Sequence, residues 1–84
     1  MDLERLIEER NRLIDEIEGM ESKVGDIYVA RTEKGIMIMV GGEEVELEID
    51  LEGVRRDYPE VEDEELLREL AELRAIKRYL GKRK

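Results

Sequence analysis

The stretch Ile36-Met37-Ile38-Met39-Val40-Gly41-Gly42-Glu43-Glu44-Val45-Glu46-Leu47-Glu48-Ile49-Asp50-Leu51 decides the fold. Its second half alternates: Val45, Leu47, Ile49 and Leu51 are apolar, and Glu44, Glu46, Glu48 and Asp50 are acidic. A period of two is the mark of a strand with one buried and one wet face. Gly41-Gly42 supplies the two positive-φ residues of a tight hairpin turn. We therefore read strands over residues 36–40 and 43–51, paired with Val40 opposite Glu43, Ile38 opposite Val45 and Ile36 opposite Leu47.

That register sets Ile36 and Ile38 on the covered face with Val45 and Leu47. Met37 and Met39 then fall on the outer face, beside Glu46 and Glu44. The first strand of the pair is apolar on both faces, whereas its neighbour is polar on one.

Upstream, residues 26–32 read as another strand, followed by Glu33-Lys34-Gly35, with Gly35 suited to a left-handed turn conformation. A three-residue loop there puts Thr32 opposite Ile36 and turns Ile27 and Val29 outward, which is the arrangement we adopt. A two-residue loop sends Tyr28 and Ala30 outward instead.

Helices flank these strands. Leu3, Leu6, Ile7, Leu13, Ile14 and Ile17 recur at three- and four-residue spacing and predict a helix over residues 2–19, capped by Asp2 and stopped by Gly19. Residues 52–62, with Gly53 and Tyr58-Pro59, read as a connector. Leu66, Leu67, Leu70, Leu73, Ile76, Tyr79 and Leu80 predict a helix over residues 63–80, with Asp63 as its cap and Gly81 as its end. Residues 81–84 remain as a basic tail. The expected architecture is one α+β domain over residues 1–84, ordered α-β-β-β-α. Its sheet is a three-stranded antiparallel meander with both helices on one face.

Composition narrows the function. The chain has no Cys and no His, so disulfides, thiolate metal sites and imidazole chemistry are excluded. Carboxylates abound, but on solvated faces where nothing shifts them toward acid–base work. No window has the oxygen-ligand spacing of an EF-hand, and Gly41-Gly42 joins two strands, so it is no phosphate loop. We expect neither catalysis nor cofactor nor metal.

Charge is dense and uneven. Charged residues make up 46% of the chain and the net charge is −9. Glu60 to Glu72 holds seven acids and one base, and Leu73 to Lys84 holds six bases and no acid. That order complements the macrodipole of the last helix. The overall negative field argues against direct nucleic-acid binding. No apolar run approaches the ~20 residues that cross a bilayer, and the N-terminus lacks the basic-then-apolar order of a signal peptide, so a cytoplasmic protein is expected.

The expected function is protein contact. Ile27, Val29, Met37 and Met39 form the apolar half of the outer face, and Glu44 and Glu46 the acidic half. An apolar patch rimmed by charge suits a protein partner or a second copy of the chain, and methionine adapts well to such contacts. A two-fold pairing of these faces sets Arg31 against the Glu44/Glu46 row. Abundant Glu, Lys and Arg resemble hyperthermophile usage, while the restricted alphabet also fits a de novo designed protein with no natural function. A third reading takes Glu44, Glu46, Glu48 and Asp50, about 7 Å apart, as a mimic of a phosphate array on DNA.

Overall fold

The hairpin at Gly41-Gly42 forms with the expected register. Both glycines have positive φ, 58° and 83°. In the computed structural model, which describes residues 1–83, strand β2 (Gly35–Val40) pairs antiparallel with β3 (Glu43–Glu48). Ile36 opposes Leu47, Met37 opposes Glu46, Ile38 opposes Val45 and Met39 opposes Glu44.

Strand β1 (Ile27–Arg31) is the other neighbour of β2, giving the order β1-β2-β3. Its register corrects the adopted one. Arg31 opposes Ile36, Val29 opposes Ile38 and Ile27 opposes Val40. The connection is the two-residue loop Glu33-Lys34: the Thr32 N–H donates to the Gly35 carbonyl (3.0 Å), and the Gly35 N–H donates to Thr32 Oγ1 (3.1 Å). Gly35 does not take a left-handed conformation. It is a glycine because a Cβ there would lie 2.3 Å from the Leu47 carbonyl oxygen.

The first helix, α1, runs from Asp2 to Val24, five residues past the expected stop. A glycine inside a helix costs about 1 kcal/mol against alanine. Met20 and Val24 continue the apolar face beyond Gly19 and pack on the sheet cluster, and their burial outweighs that cost. Asp2 is not the cap: Met1 occupies that position. The Asp2 carboxylate instead accepts the Glu60 N–H at 3.3 Å.

The expected connector contains a helix, α2 (Leu51–Asp57). The third strand is correspondingly shorter than residues 43–51. The alternation ends because Asp50 becomes a helix cap, accepting the Gly53 N–H at 2.9 Å. Gly53 lets the carboxylate approach closely, since a Cβ would sit 2.3 Å from it. Seven residues do not form a helix unaided. Burial of Val54 (0% exposed) and Tyr58 (6%) holds this one.

The last helix, α3 (Glu64–Lys82), is capped by Asp63, whose Oδ1 accepts from the Glu65 and Leu66 N–H groups. It passes through Gly81, and Arg83 closes it by donating its N–H to the Tyr79 and Leu80 carbonyls. Gly81 and Lys82 of the expected tail are therefore helical, Arg83 is extended, and Lys84 lies outside the described residues. The two long helices run side by side in the same direction: Arg10 pairs with Glu69, and Glu16 pairs with Lys77.

The helices pack against the sheet in an α+β fold, with α3 meeting β2 and β3. The core has two parts. Leu6, Leu13, Val54, Tyr58, Leu67, Leu70 and Ala71 lie between helices, and Ile36, Ile38, Val40, Ile76 and Leu80 lie between sheet and helix. Ile49 packs against both parts. No helix among the described residues is long and apolar enough to cross a membrane.

Candidate protein-contact surface

The outer sheet face is built by parity. Side chains opposite one another across an antiparallel pair share a face. Met37 and Met39 oppose Ala30 and Tyr28 on one side, and Glu46 and Glu44 on the other. Ile36, Ile38 and Val40 are buried under α3, so this second set points away from the helices. Its exposure decides the matter: Tyr28 is 62% and Met39 42% exposed, and Ala30, Glu44 and Glu46 are exposed as well. Met37, at the centre, is half-buried by its neighbours.

Four of the six residues read from the sequence thus sit together: Met37, Met39, Glu44 and Glu46. Ile27 and Val29 do not join them. Ile27 turns toward the helices and packs on the Ile36/Ile38/Val40 cluster. Val29 has the same parity but stays 46% exposed, at a margin of the sheet outside the contact of α3 with β2 and β3. Tyr28 and Ala30 take the outer positions. The signal for them lay in Arg31. With Arg31 on the helix side, its guanidinium reaches Glu72 (2.8 Å) and Glu65 on α3. It is therefore unavailable to the Glu44/Glu46 row, contrary to the expected two-fold pairing.

Tyr28, Val29, Ala30, Met37, Met39 and Glu44 line a shallow depression of about 260 Å³. The long connector does not cover it, since α2 lies against α3 on the opposite side of the sheet. Glu44, Glu46 and Glu48 continue the face as an exposed acidic row. Asp50 has left that row to cap α2, which leaves three of the four proposed phosphate-like positions.

The perturbed ionisable groups lie elsewhere and are tied up in ion pairs. Arg74 donates two hydrogen bonds to Glu9 (2.7 and 2.9 Å), and the Tyr58 hydroxyl donates to the same carboxylate (2.5 Å). Arg74 also reaches Asp57 at 3.0 Å. The Arg74 guanidinium is the main reason the Glu9 carboxyl is held below its ordinary range. Burial first, and then the Glu9 carboxylate, push the Tyr58 hydroxyl up. On the sheet side, Arg31 holds Glu65 down, and Arg68 bridges Glu72 (2.9 Å) to the Gly35 carbonyl (3.1 Å). These networks fasten α1, α2 and the sheet to α3.

Among the described residues, no cluster of three acidic side chains could hold a metal ion, and no polar or charged residue is buried. A second shallow hollow, about 210 Å³, lies between β3 and α3 beside Leu47 and Tyr79, with the exposed side chains of Arg78 and Lys82 at its rim. No family model matches the chain, and neither a curated protein nor a solved structure matches it.

Proposed function

We propose that this chain is a non-catalytic protein-contact domain, cytoplasmic, that self-associates or docks a protein partner through its outer sheet face. One observation carries the reading: Tyr28 and Met39 stand side by side, 62% and 42% exposed, on a face that no helix among the described residues covers. Aromatic and methionine side chains are enriched in the buried centres of interfaces, while Glu and Lys are depleted there. Tyr28, Met37 and Met39 give the face that character, with the small Ala30 beside Met37 and Glu44 and Glu46 along one border. Docking there removes apolar surface from water at roughly 25 cal/mol per Å² without disturbing the core beneath.

The test is Met39→Glu together with Tyr28→Glu, read by sedimentation and by capture of partner proteins. We expect unchanged circular dichroism and loss of association or capture. Variants that keep both association and capture overturn the proposal. The acidic row supports a second outcome, mimicry of a phosphate array, because Glu44, Glu46 and Glu48 are all exposed on one face. Capture that collapses as salt rises, yet survives Met39→Glu, selects that outcome.

A further inference from the structure

The free edge of β1 has donors and acceptors with no partner in the strand order. The parity of the ladder says which ones. The Thr32 N–H points into the sheet, to Gly35. Backbone groups alternate direction along a strand, so Ile27, Val29 and Arg31 point their N–H and C=O groups outward. The Ile27 N–H bears this out: it is met from outside by the Glu21 carboxylate at 3.2 Å. Val29 and Arg31 have no such cover. Natural edges are guarded by proline, bulges, lysine or inward-pointing charge. In β1 only Arg31, at one end, points a charge inward; Tyr28-Val29-Ala30 carries none of these.

We infer that the β1 edge is a seam for a second copy of this chain, paired antiparallel about a two-fold axis at Val29. The occupant follows from the charges flanking the edge. At its N-terminal end stand Glu21 and Asp26, and at its C-terminal end Lys34, beside an Arg31 already paired with Glu65 and Glu72. Antiparallel self-pairing sets the acidic end of each copy against Lys34 of the other. Lys23 and Glu33, the exceptions at the two ends, are themselves opposite in sign. A parallel arrangement sets like against like.

The register with full overlap places Val29 opposite Val29, Ile27 opposite Arg31 and Tyr28 opposite Ala30 of the other copy. Val29, Ile27 and Arg31 then form hydrogen-bonded pairs, about six bonds across the seam. The Ile27 N–H exchanges Glu21 for the Arg31 carbonyl of the other copy. The small Ala30 leaves room for the Tyr28 ring lying across it. The product is one six-stranded sheet in which the two Met37/Met39 faces become continuous. The seam is a different surface from the outer face, and the two are separable by mutation.

The experiment is sedimentation equilibrium of the full chain up to about 1 mM, a concentration that detects even a standard free energy near −4 kcal/mol. Amide hydrogen exchange is followed alongside. We expect a dimer, with Val29 and Arg31 amides protected as concentration rises. Val29→Pro removes one donor per copy from a position whose N–H faces solvent in the monomer, so the fold tolerates it. We expect dimerisation at least about thirty-fold weaker, two hydrogen bonds being lost across the axis. Should Val29→Pro not fold, Val29→Lys keeps the strand and sets two like charges on the axis, with the same expected loss. A dimer dissociated by Met39→Glu but indifferent to both Val29 variants overturns the seam and leaves the outer-face reading standing. A dimer sensitive at Val29 and indifferent at Met39 supports the seam and counts against self-association through the face. A chain monomeric at 1 mM overturns the seam.

Discussion

Replacing Gly35 by alanine tests the geometry on which the whole face rests. A Cβ at this buried position would lie 2.3 Å from the Leu47 carbonyl oxygen, 3.0 Å from the Ile49 nitrogen and 3.2 Å from the Glu48 Cα. All three are backbone atoms, so no side chain can swing aside. The ends of β2 and β3 must part by about 1 Å to restore ordinary contact. Overpacking of this kind costs about 1–3 kcal/mol. The parting also strains the bonds that converge on the Gly35 carbonyl, from the Thr32 N–H (3.0 Å) and Arg68 (3.1 Å). Against this, alanine restricts the unfolded chain and returns about 0.4–1 kcal/mol. The strained bonds put the cost in the upper part of its range, so the net loss is about 1.5–2.5 kcal/mol. At roughly 2.1 cal/mol/K per residue, the 84-residue chain has an unfolding entropy near 0.18 kcal/mol/K, so Tm falls by about 8–14 °C. Thermal unfolding followed by circular dichroism reads this directly. Gly35→Asn separates the close-approach account from a left-handed turn. Asparagine tolerates positive φ, so it would rescue a turn glycine, but it should be at least as harmful as alanine against the β3 backbone. A Tm within about 3 °C of the parent for either variant refutes the reasoning.

Four further outcomes are expected. Val54→Ala removes two methyl groups from a fully buried site on α2 and should cost about 2 kcal/mol. In a denaturant titration, exposed Arg56→Ala should stay within about 0.5 kcal/mol of the parent. Because the folded carboxyl of Glu9 is lowered from its ordinary 4.5, its contribution is present above pH 4.5 and is lost as pH falls through the folded value. Because the Tyr58 hydroxyl is raised above 10.0, its contribution is present below pH 10 and is lost as pH rises through the folded value. Tyr58→Phe should lower stability by about 1–2 kcal/mol at pH 7, since Glu9 keeps its Arg74 bonds, and should flatten the alkaline limb of the pH–stability curve. Arg31→Met should let the Glu65 carboxyl rise toward its ordinary 4.5 in an NMR titration, while the β1–β2 register persists.

The central hairpin was legible because two independent local signals agreed on it. The glycine pair fixed the turn, and the Glu–Val–Glu–Leu alternation fixed which residues face the helices. Helix α3 was legible for the same reason, with periodicity and an Asp63 cap in agreement. The errors fall where one residue serves two readings. Gly19 and Gly81 looked like stops, yet Met20 and Val24 on one helix and the Arg83 closure on the other carry the helical bonding past them. Leu51 continued the strand alternation but opens α2. What settles it is the contact of Asp50 with Gly53, a three-residue spacing that an alternating pattern conceals. Helix α2 was illegible as a helix because it is too short to show periodicity; it exists through Val54 and Tyr58, whose partners Leu6, Leu13 and Leu70 are distant in sequence.

The candidate face shows how far such reasoning extends. Met37 and Met39 were placed by a turn that glycine chemistry dictates. Ile27 and Val29 were misplaced because loop composition alone does not choose between two residues and three. The choice shows across the fold, where Arg31 meets Glu65 and Glu72 on the helix side, and a one-residue slip turns every side chain of β1 over. Arg31 thus marks the register of a surface it does not touch. That register puts Tyr28 rather than Val29 beside Met39, trading an aliphatic side chain for a larger amphipathic one suited to interface centres. It also leaves Val29 at the unguarded margin of the sheet. The two surfaces through which this chain can meet a neighbour, the methionine face and the β1 edge, thus follow from one register, that of the two-residue loop at Glu33-Lys34, with which the pairing of Arg31 on the opposite side of the sheet agrees.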